Sequence, residues 1–355
     1  MKSVLIVLAL LVVMVTALPL LRLNQWWIRV FDFPRAQITL TGIALLAVYS
    51  YFWETRHGYE SIVLGLLVLA VGYQVAKMIP YTRLMSKQVL AVESRADEST
   101  ANPNQNAKTQ NSLSLLVANV LISNRESAAF LALVRHYDPD VILTVETDDW
   151  WEQALKPLEE HYPHTLKNPL DNTYGMLVYS RLTMIDPQIR FILKDCIPSM
   201  HMQLVLRSNE RVFMHFVHPD PPNPQYATET TERDAEVLII GREVEQRDEP
   251  TIIAGDFNDV AWSYTTKLFQ KTSGLLDPRI GRGMYNTYNA KHALLRWPLD
   301  HVFHSNHFKL VHMEKGPAWG SDHFPIFIAL SLEPGAEAEQ KALDTNRVKK
   351  RKLPR

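Results

Sequence analysis

Cysteine is almost missing from this chain: Cys196 is the single one in 355 residues. That excludes an internal disulfide framework and any zinc site built from several cysteines. A global charge excess is missing too, with a formal net charge of -1, so nothing overall demands an acidic partner. There is no internal repeat. The 46% hydrophobic and 21% charged composition is that of a folded chain, not of a disordered tail or fibrous repeat. The length allows one large or two modest domains.

Charge is also missing locally, from Val4 to Leu21, from Ala36 to Trp53 and from Ser61 to Ala76. A bilayer core takes about 20 apolar residues. The third stretch reaches that length if Lys77 snorkels, extending it to about residue 79. Trp26, Trp27, Tyr51, Trp53 and Tyr81 lie at the ends of these stretches, as an aromatic belt would. Residues 1–85 are therefore expected to be a multi-pass transmembrane region of the inner (plasma) membrane. Two alternatives stand beside this: a buried helical hairpin, or a cleaved signal peptide made of Lys2, the first run and Val15-Thr16-Ala17. Arg22, Arg29, Arg35, Lys77, Arg83, Lys87 and Arg95 fall on one side, against Lys2 and Arg56 on the other. That asymmetry puts the C-terminal bulk in the cytoplasm. Cleavage of the first stretch would put it outside.

Residues 86–112 are polar and rich in Asn, Ser, Glu and Gln, and are expected to be a flexible linker. Residues 113–332 carry 20 Lys and Arg against 28 Asp and Glu, while 1–112 carry 10 against 6 and 333–355 carry 7 against 4. An acidic middle is thus flanked by basic ends. Residues 333–355 are expected to form a disordered basic tail, able to meet anionic headgroups.

Within 113–332, Ser114–Val120 and Val141–Val145 read as buried strands around a helix at Ser127–Tyr137. Further strands are predicted at Gly175–Tyr179, Ile189–Leu193, Met202–Leu206, Val212–Val217, Thr251–Ala254, Leu299–His304, Phe308–Met313 and Pro325–Leu330. A helix is predicted from about Thr228 to Gln246. Strands without intervening helices imply antiparallel pairing as well, so α+β layers are expected.

Polar side chains collect at the strand ends. In Gly255-Asp256-Phe257-Asn258 a buried strand presents an acid and an amide two apart, pointing the same way by period two. An Asx turn is the bland alternative. Ser321-Asp322-His323-Phe324-Pro325 sets an acid–histidine pair before the last strand, suited to a general base or a metal ligand. Asp300-His301 opens an apolar strand, and a buried acid there needs a partner such as a histidine. Glu146 tips one strand, Asn119 ends another, and His218 follows a third among prolines.

In this order the series Asn119, Glu146, His218, Asp256, Asn258, Asp300, Asp322 and His323 resembles the endonuclease/exonuclease/phosphatase superfamily, the DNase-I-like fold, over about residues 113–332. Tyr174–Arg181 also looks like that family's glycine–strand–Ser-Arg segment. The N-terminal region resembles a membrane-anchored bacterial subgroup. The resemblance implies a two-sheet α/β sandwich with the site at one edge. It implies a divalent metal held by Glu146 with Asn119 and with Asp322 beside it, Mg²⁺ or Mn²⁺ for such oxygen ligands. It implies Asp256 and Asn258 positioning the nucleophile and phosphoryl group, His323 paired with Asp300, and His218 meeting a phosphate oxygen or leaving group. Whether His323 is the base or stabilises the pentavalent charge stays open.

The expected activity is a membrane-anchored, metal-dependent phosphodiesterase in which water attacks a phosphoester. Nucleic acid is the leading substrate although the domain lacks a basic footprint. Pro219–Pro224 and Arg279–His292, with Arg282, Tyr285, Tyr288 and Lys291, are candidate contacts. A lipid or small-molecule phosphoester is the alternative, since a tether concentrates the domain at headgroups. A binding module that has lost catalysis is disfavoured, because every catalytic position holds a competent residue. No specific protein partner is inferred.

Overall fold

A computed structural model gives the fold; it describes residues 2–51, 58–92, 109–221 and 229–343. The N-terminal part holds the helices α1 (Lys2–Ala17), α2 (Trp26–Arg29), α3 (Arg35–Tyr51) and α4 (Gly58–Met78). Two helical segments, Ser3–Leu21 and Gly58–Tyr81, are long and apolar enough to cross a membrane, and only 22% of the most apolar 18-residue stretch of each is buried inside the protein. Outward-facing Leu40, Ile43, Leu66 and Leu69 are the reverse of a soluble core helix. The middle stretch is helical over the 17 residues of α3, and its expected end at Trp53 lies outside the described residues.

The rest is a sandwich of two mixed sheets. Its strands are β1 (Ser112–Asn119), β2 (Val141–Val145), β3 (His164–Asn168), β4 (Met176–Ser180), β5 (Thr183–Arg190), β6 (Ser199–Val205), β7 (Arg211–Val217), β8 (Thr251–Asp256), β9 (Asp300–His304), β10 (Phe308–Lys315) and β11 (Ile326–Leu332). One sheet has the order β10-β11-β1-β2-β4-β3 and the other β5-β6-β7-β8-β9. Among the described strands, only the β1–β2 and β7–β8 pairs are parallel. Leu115, Val117, Leu143 and Ile328 of the first sheet pack against Met202, Met214, Ile252 and Val302 of the second. Helices α5 (Ser127–Tyr137) and α6 (Asp149–Leu155) cover the first sheet, and α7 (Thr231–Glu245) and α8 (Tyr264–Ser273) the second. Both faces of the central strands are therefore buried, and their sequences are mainly apolar, interrupted within the strands by Ser114 and Thr144.

Two sequence expectations change. The linker expected from Ser86 starts later, because Val89 is 1% exposed in the main core. Ala91 bridges Leu310, and Leu310 N donates to Leu90 O at 2.8 Å. These residues cover the free edge of β10, whose backbone groups need partners. Residues 93–108, most of that linker, lie outside the described residues. The tail expected to be disordered from residue 333 begins with a helix over 336–343, pinned where Gln340 Nε2 donates to Gln88 O at 2.6 Å. Residues 344–355 lie outside the described residues.

The sandwich sits directly on the N-terminal helices. Phe33, Met78 and Tyr81 share a core with Val260, Ala261, Trp262 and Leu299. Trp262 Nε1 donates to Asp32 O at 2.7 Å, and Tyr81 OH to Ala261 O at 2.6 Å. A buried ionic cluster crosses the junction. Asp32 pairs with Arg35, Arg29 donates to Thr265 Oγ1 at 2.7 Å and lies 3.8 Å from Asp234, and Arg233 bonds Asp234 at 2.8 Å.

Candidate active site

The two parallel pairs bring strand ends to one edge. Asn119 is in register with Val145, so Glu146 emerges beside it. Val217 is in register with Gly255, so His218 and Asp256 emerge together. Asp300 stands opposite Asp256 in the antiparallel β8–β9 pair. Glycine is required at 255: its φ is 147°, and a Cβ there would lie 1.9 Å from Val217 O. The carboxyl edge of parallel strands is where α/β sheets place ligands.

The side chains form one connected group. Asn119 Nδ2 donates to Glu146 Oε1 at 2.7 Å and to Asp256 Oδ2 at 3.1 Å. Leu121 N holds the Asn119 oxygen at 2.9 Å, so the amide presents N–H to both carboxylates and orients them. Asp256 Oδ2 lies 3.6 Å from His323 Nε2 and 4.0 Å from His218 Nε2. His323 Nδ1 bonds Asp300 Oδ2 at 2.8 Å. Ser321 Oγ donates to Asn119 O at 2.8 Å and accepts from His323 N at 3.0 Å, tying the histidine loop to β1.

Asp256 and Asn258 do not project by strand alternation. The strand stops at Asp256, Asn258 takes a φ of 50°, and its N–H donates to Asp256 Oδ1 at 2.9 Å. This is an Asx turn, and Asn258 Nδ2 donates to Pro219 O at 2.9 Å. The histidine serving Asp300 is His323. The adjacent His301 faces away, with Nε2 on Asp259 O at 2.8 Å and Nδ1 on Arg279 at 2.6 Å. That follows from strand alternation, which puts neighbours on opposite faces.

Charge and burial shape the group. Burial raises the Glu146 carboxyl above its ordinary value, with His218, Asn119 and His323 opposing and Asp256 adding. Burial would raise Asp256 as well, but His323, His218 and the Asn258 N–H hold it below the ordinary range. Burial and Asp256 raise Asp300 despite His323. Burial disfavours charge on His323, yet Asp300 and Asp256 push it up to about 10.

The donor set suits a hard divalent cation. Asp322 Oδ1 and Asp300 Oδ1 are buried without a hydrogen-bond partner, and unpartnered buried carboxylate oxygens are costly. Asp322 acts electrostatically on His323 and Tyr288, so it belongs to the same charge field. Asp256, Asp300 and His323 offer ligand atoms within 4.8 Å of one another, but His323 already spends one nitrogen on Asp300. With Glu146 added, the available atoms are mainly oxygens, the preference of Mg²⁺ or Mn²⁺.

Of the candidate contact segments, Arg279 is a buried partner of Asp277, and Arg282 bonds Pro278 O and Val89 O. Tyr288 does reach the site, its ring 5.0 Å from that of His323. Residues 222–224 lie outside the described residues. Sequence reasoning missed Thr287, whose Oγ1 accepts from Asp300 N at 3.2 Å and Leu299 N at 3.3 Å. It also missed Arg233, which donates to Asn258 O at 3.0 Å. Neither carries a sequence signal, since a loop threonine and a helix arginine are ordinary surface residues.

The sequence matches the profile of the Endonuclease/Exonuclease/phosphatase family over residues 115–323. No curated protein is significantly similar in sequence. Solved structures share the fold. The human Nocturnin catalytic domain with bound sulfate anion superposes with a TM-score of 0.52 at 15% identity, covering 66% of this chain and 100% of that one. The endonuclease/exonuclease/phosphatase from Bacteroides vulgatus gives 0.51 at 15% identity, covering 62% and 99%. D. rerio TDP2 complexed with single strand DNA product gives 0.50 at 17% identity, covering 62% and 99%.

Proposed function

The chain belongs to the endonuclease/exonuclease/phosphatase family, and from that premise we propose that it is a membrane-anchored, divalent-metal-dependent hydrolase in which water attacks a phosphoester. The observation that carries this is the unbroken path Glu146–Asn119–Asp256–His323–Asp300 at one sheet edge. A bound Mg²⁺ or Mn²⁺ would supply Lewis acidity and charge neutralisation at an anionic phosphoester. Glu146 and Asp322 would hold it, with Asn119 keeping the Glu146 carboxylate in place. Asp256 and Asn258 orient the attacking water. His323 Nε2, fixed by Asp300, is the atom that exchanges a proton or meets the developing charge. His218 donates to a phosphoryl oxygen or the leaving group. The water oxygen forms the new P–O bond, the ester P–O bond breaks, and the leaving alkoxide takes a proton.

Nucleic acid as substrate draws on the family and on D. rerio TDP2, whose structure holds a single strand DNA product. A lipid phosphoester is favoured by a separate observation, the packing of Val260–Trp262 against Phe33, Met78 and Tyr81. We place the protein in the inner membrane with the catalytic domain cytoplasmic, on the Lys/Arg asymmetry. The test is hydrolysis of bis(p-nitrophenyl) phosphate by the full chain in detergent, with Mg²⁺, with Mn²⁺ and after chelation. Full activity in metal-free buffer overturns the reading.

A further inference from the structure

The segment 289–297 joins the candidate site to the membrane helices. At its base Ala290 N donates to Asp322 O at 2.6 Å. Arg296 Nε donates to Asn289 O at 3.3 Å, closing the loop. Trp297 stacks on Tyr288 with centroids 5.8 Å apart and meets the edge of Phe33 at 5.9 Å. At its tip Gln37 Nε2, in the first turn of α3, donates to Leu294 O at 2.5 Å.

The depth of that tip can be read from the helices. Arg35 donates to Gln74 Oε1 at 2.6 Å, and Gln74 donates to Thr16 Oγ1 at 3.0 Å. These bonds put Arg35, Gln74 and Thr16 at one level. The apolar segment of α1 runs on past Thr16 to Leu21 on the domain side of that level. Gln37 is two residues beyond Arg35 in α3, so the Leu294 carbonyl it holds lies beside the first turn of a helix of the apolar bundle. Leu294 is 84% exposed and Leu295 47%, with Lys291 and Arg296 flanking them in sequence. Among the described residues from Ser112 onward, Leu294 is the most exposed large apolar side chain. Burying a leucine away from water is favourable, and cationic flanks suit headgroup phosphates.

We propose that the 289–297 loop enters a phospholipid bilayer through Leu294 and Leu295, so that the bilayer surface forms one wall of the approach to His323 and the phosphoester hydrolysed is a lipid headgroup. The membrane contact stands by itself; the substrate half rests on the hydrolase reading. The loop is the continuous segment between the bilayer and the Tyr288–His323 contact. A headgroup phosphate reaches the site without leaving the membrane, whereas a polynucleotide would approach an acidic domain past an anionic surface.

The test uses the full chain in nanodiscs of phosphatidylcholine and phosphatidylglycerol, with Cys196→Ser and a fluorophore on Leu294→Cys. Brominated acyl chains should quench this label, and aqueous iodide should not; a control label on Leu193→Cys should show the reverse. Iodide quenching at 294 equal to that at 193 overturns the membrane contact. Headgroup release is then followed by phosphorus NMR beside cleavage of single-stranded DNA. Lipid turnover should exceed DNA turnover, and Leu294→Glu with Leu295→Glu should lower it about tenfold or more relative to bis(p-nitrophenyl) phosphate. DNA cleavage with intact lipid overturns the substrate half. Lipid-quenched label with no hydrolysis of any phosphoester overturns the hydrolase reading and leaves the membrane contact standing.

Discussion

Asp300 grips His323 by one nitrogen and turns the other toward Asp256: Nδ1 lies 2.8 Å from Asp300 Oδ2, and Nε2 lies 3.6 Å from Asp256 Oδ2. An acid on one side of an imidazole fixes its tautomer and orientation. His323→Ala is expected to lower turnover by orders of magnitude, with Asp300→Ala somewhat milder. The double variant should lose little more than His323→Ala alone, since residues acting as a unit are non-additive. Rates of all three on bis(p-nitrophenyl) phosphate check this. Fully additive losses in log rate would separate the two residues.

Glu146 stands just beyond β2 and is only partly buried, so it can be neutralised without emptying the core. Glu146→Gln should keep its bond with Asn119 while losing a charged oxygen ligand. The expected outcome is weaker Mg²⁺ and Mn²⁺ binding, read by calorimetry, with a melting temperature close to that of the parent.

The junction with the N-terminal helices gives a stability prediction. Asp32, Arg29 and Arg35 are each 3% exposed or less. Asp32→Asn leaves buried arginine charge uncompensated, which costs about 3–5 kcal/mol. Thermal unfolding in detergent should shift downward clearly, and Asp32→Glu should recover part of the loss.

Acid should destabilise the sandwich through histidines remote from the site. Burial lowers His215 and His304 to about 4, and burial with His215 lowers His201 to about 2. Each stays neutral in the fold, while the unfolded chain takes up protons below about pH 6.5. Their contribution is therefore intact above that pH and is lost as pH falls toward 4, at about 1.4 kcal/mol per pH unit for each histidine. Denaturant unfolding between pH 7 and 5 checks the slope. His304→Asn, which can keep the bond to Ser305 O, should remove one histidine's share.

Much of the sandwich was legible because its central strands are apolar runs that end in polar residues. Asn119, Glu146, Asp256 and Asp300 each mark such an end, and those ends make the site. The edge strand β5 was not legible: its predicted place at Ile189–Leu193 overlaps Thr183–Arg190 by only two residues. It is half-exposed and its register breaks between Ile185 and Gln188, so it carries no periodic signal. The Asx turn at Asp256 stood in the sequence only as the alternative to strand alternation, because a turn erases the period. The seat of the sandwich on the N-terminal helices was invisible because it uses isolated polar residues far apart in sequence, such as Asn24 with Thr231 and Gln37 with Leu294.

The hydrogen bond from Trp262 to Asp32 spans 230 positions, and translation gives that span a direction in time. The half of the junction built by the N-terminal helices leaves the ribosome long before the loop after Asp256 exists. When Val260–Trp262 finally emerges, Phe33, Met78 and Tyr81 are already waiting, and the last strands of the sandwich close against a mould cast in advance. Assembly thus runs from the N-terminal helices outward, and a chain whose first helices have not found their place offers the Asp256–Trp262 loop nothing to set against.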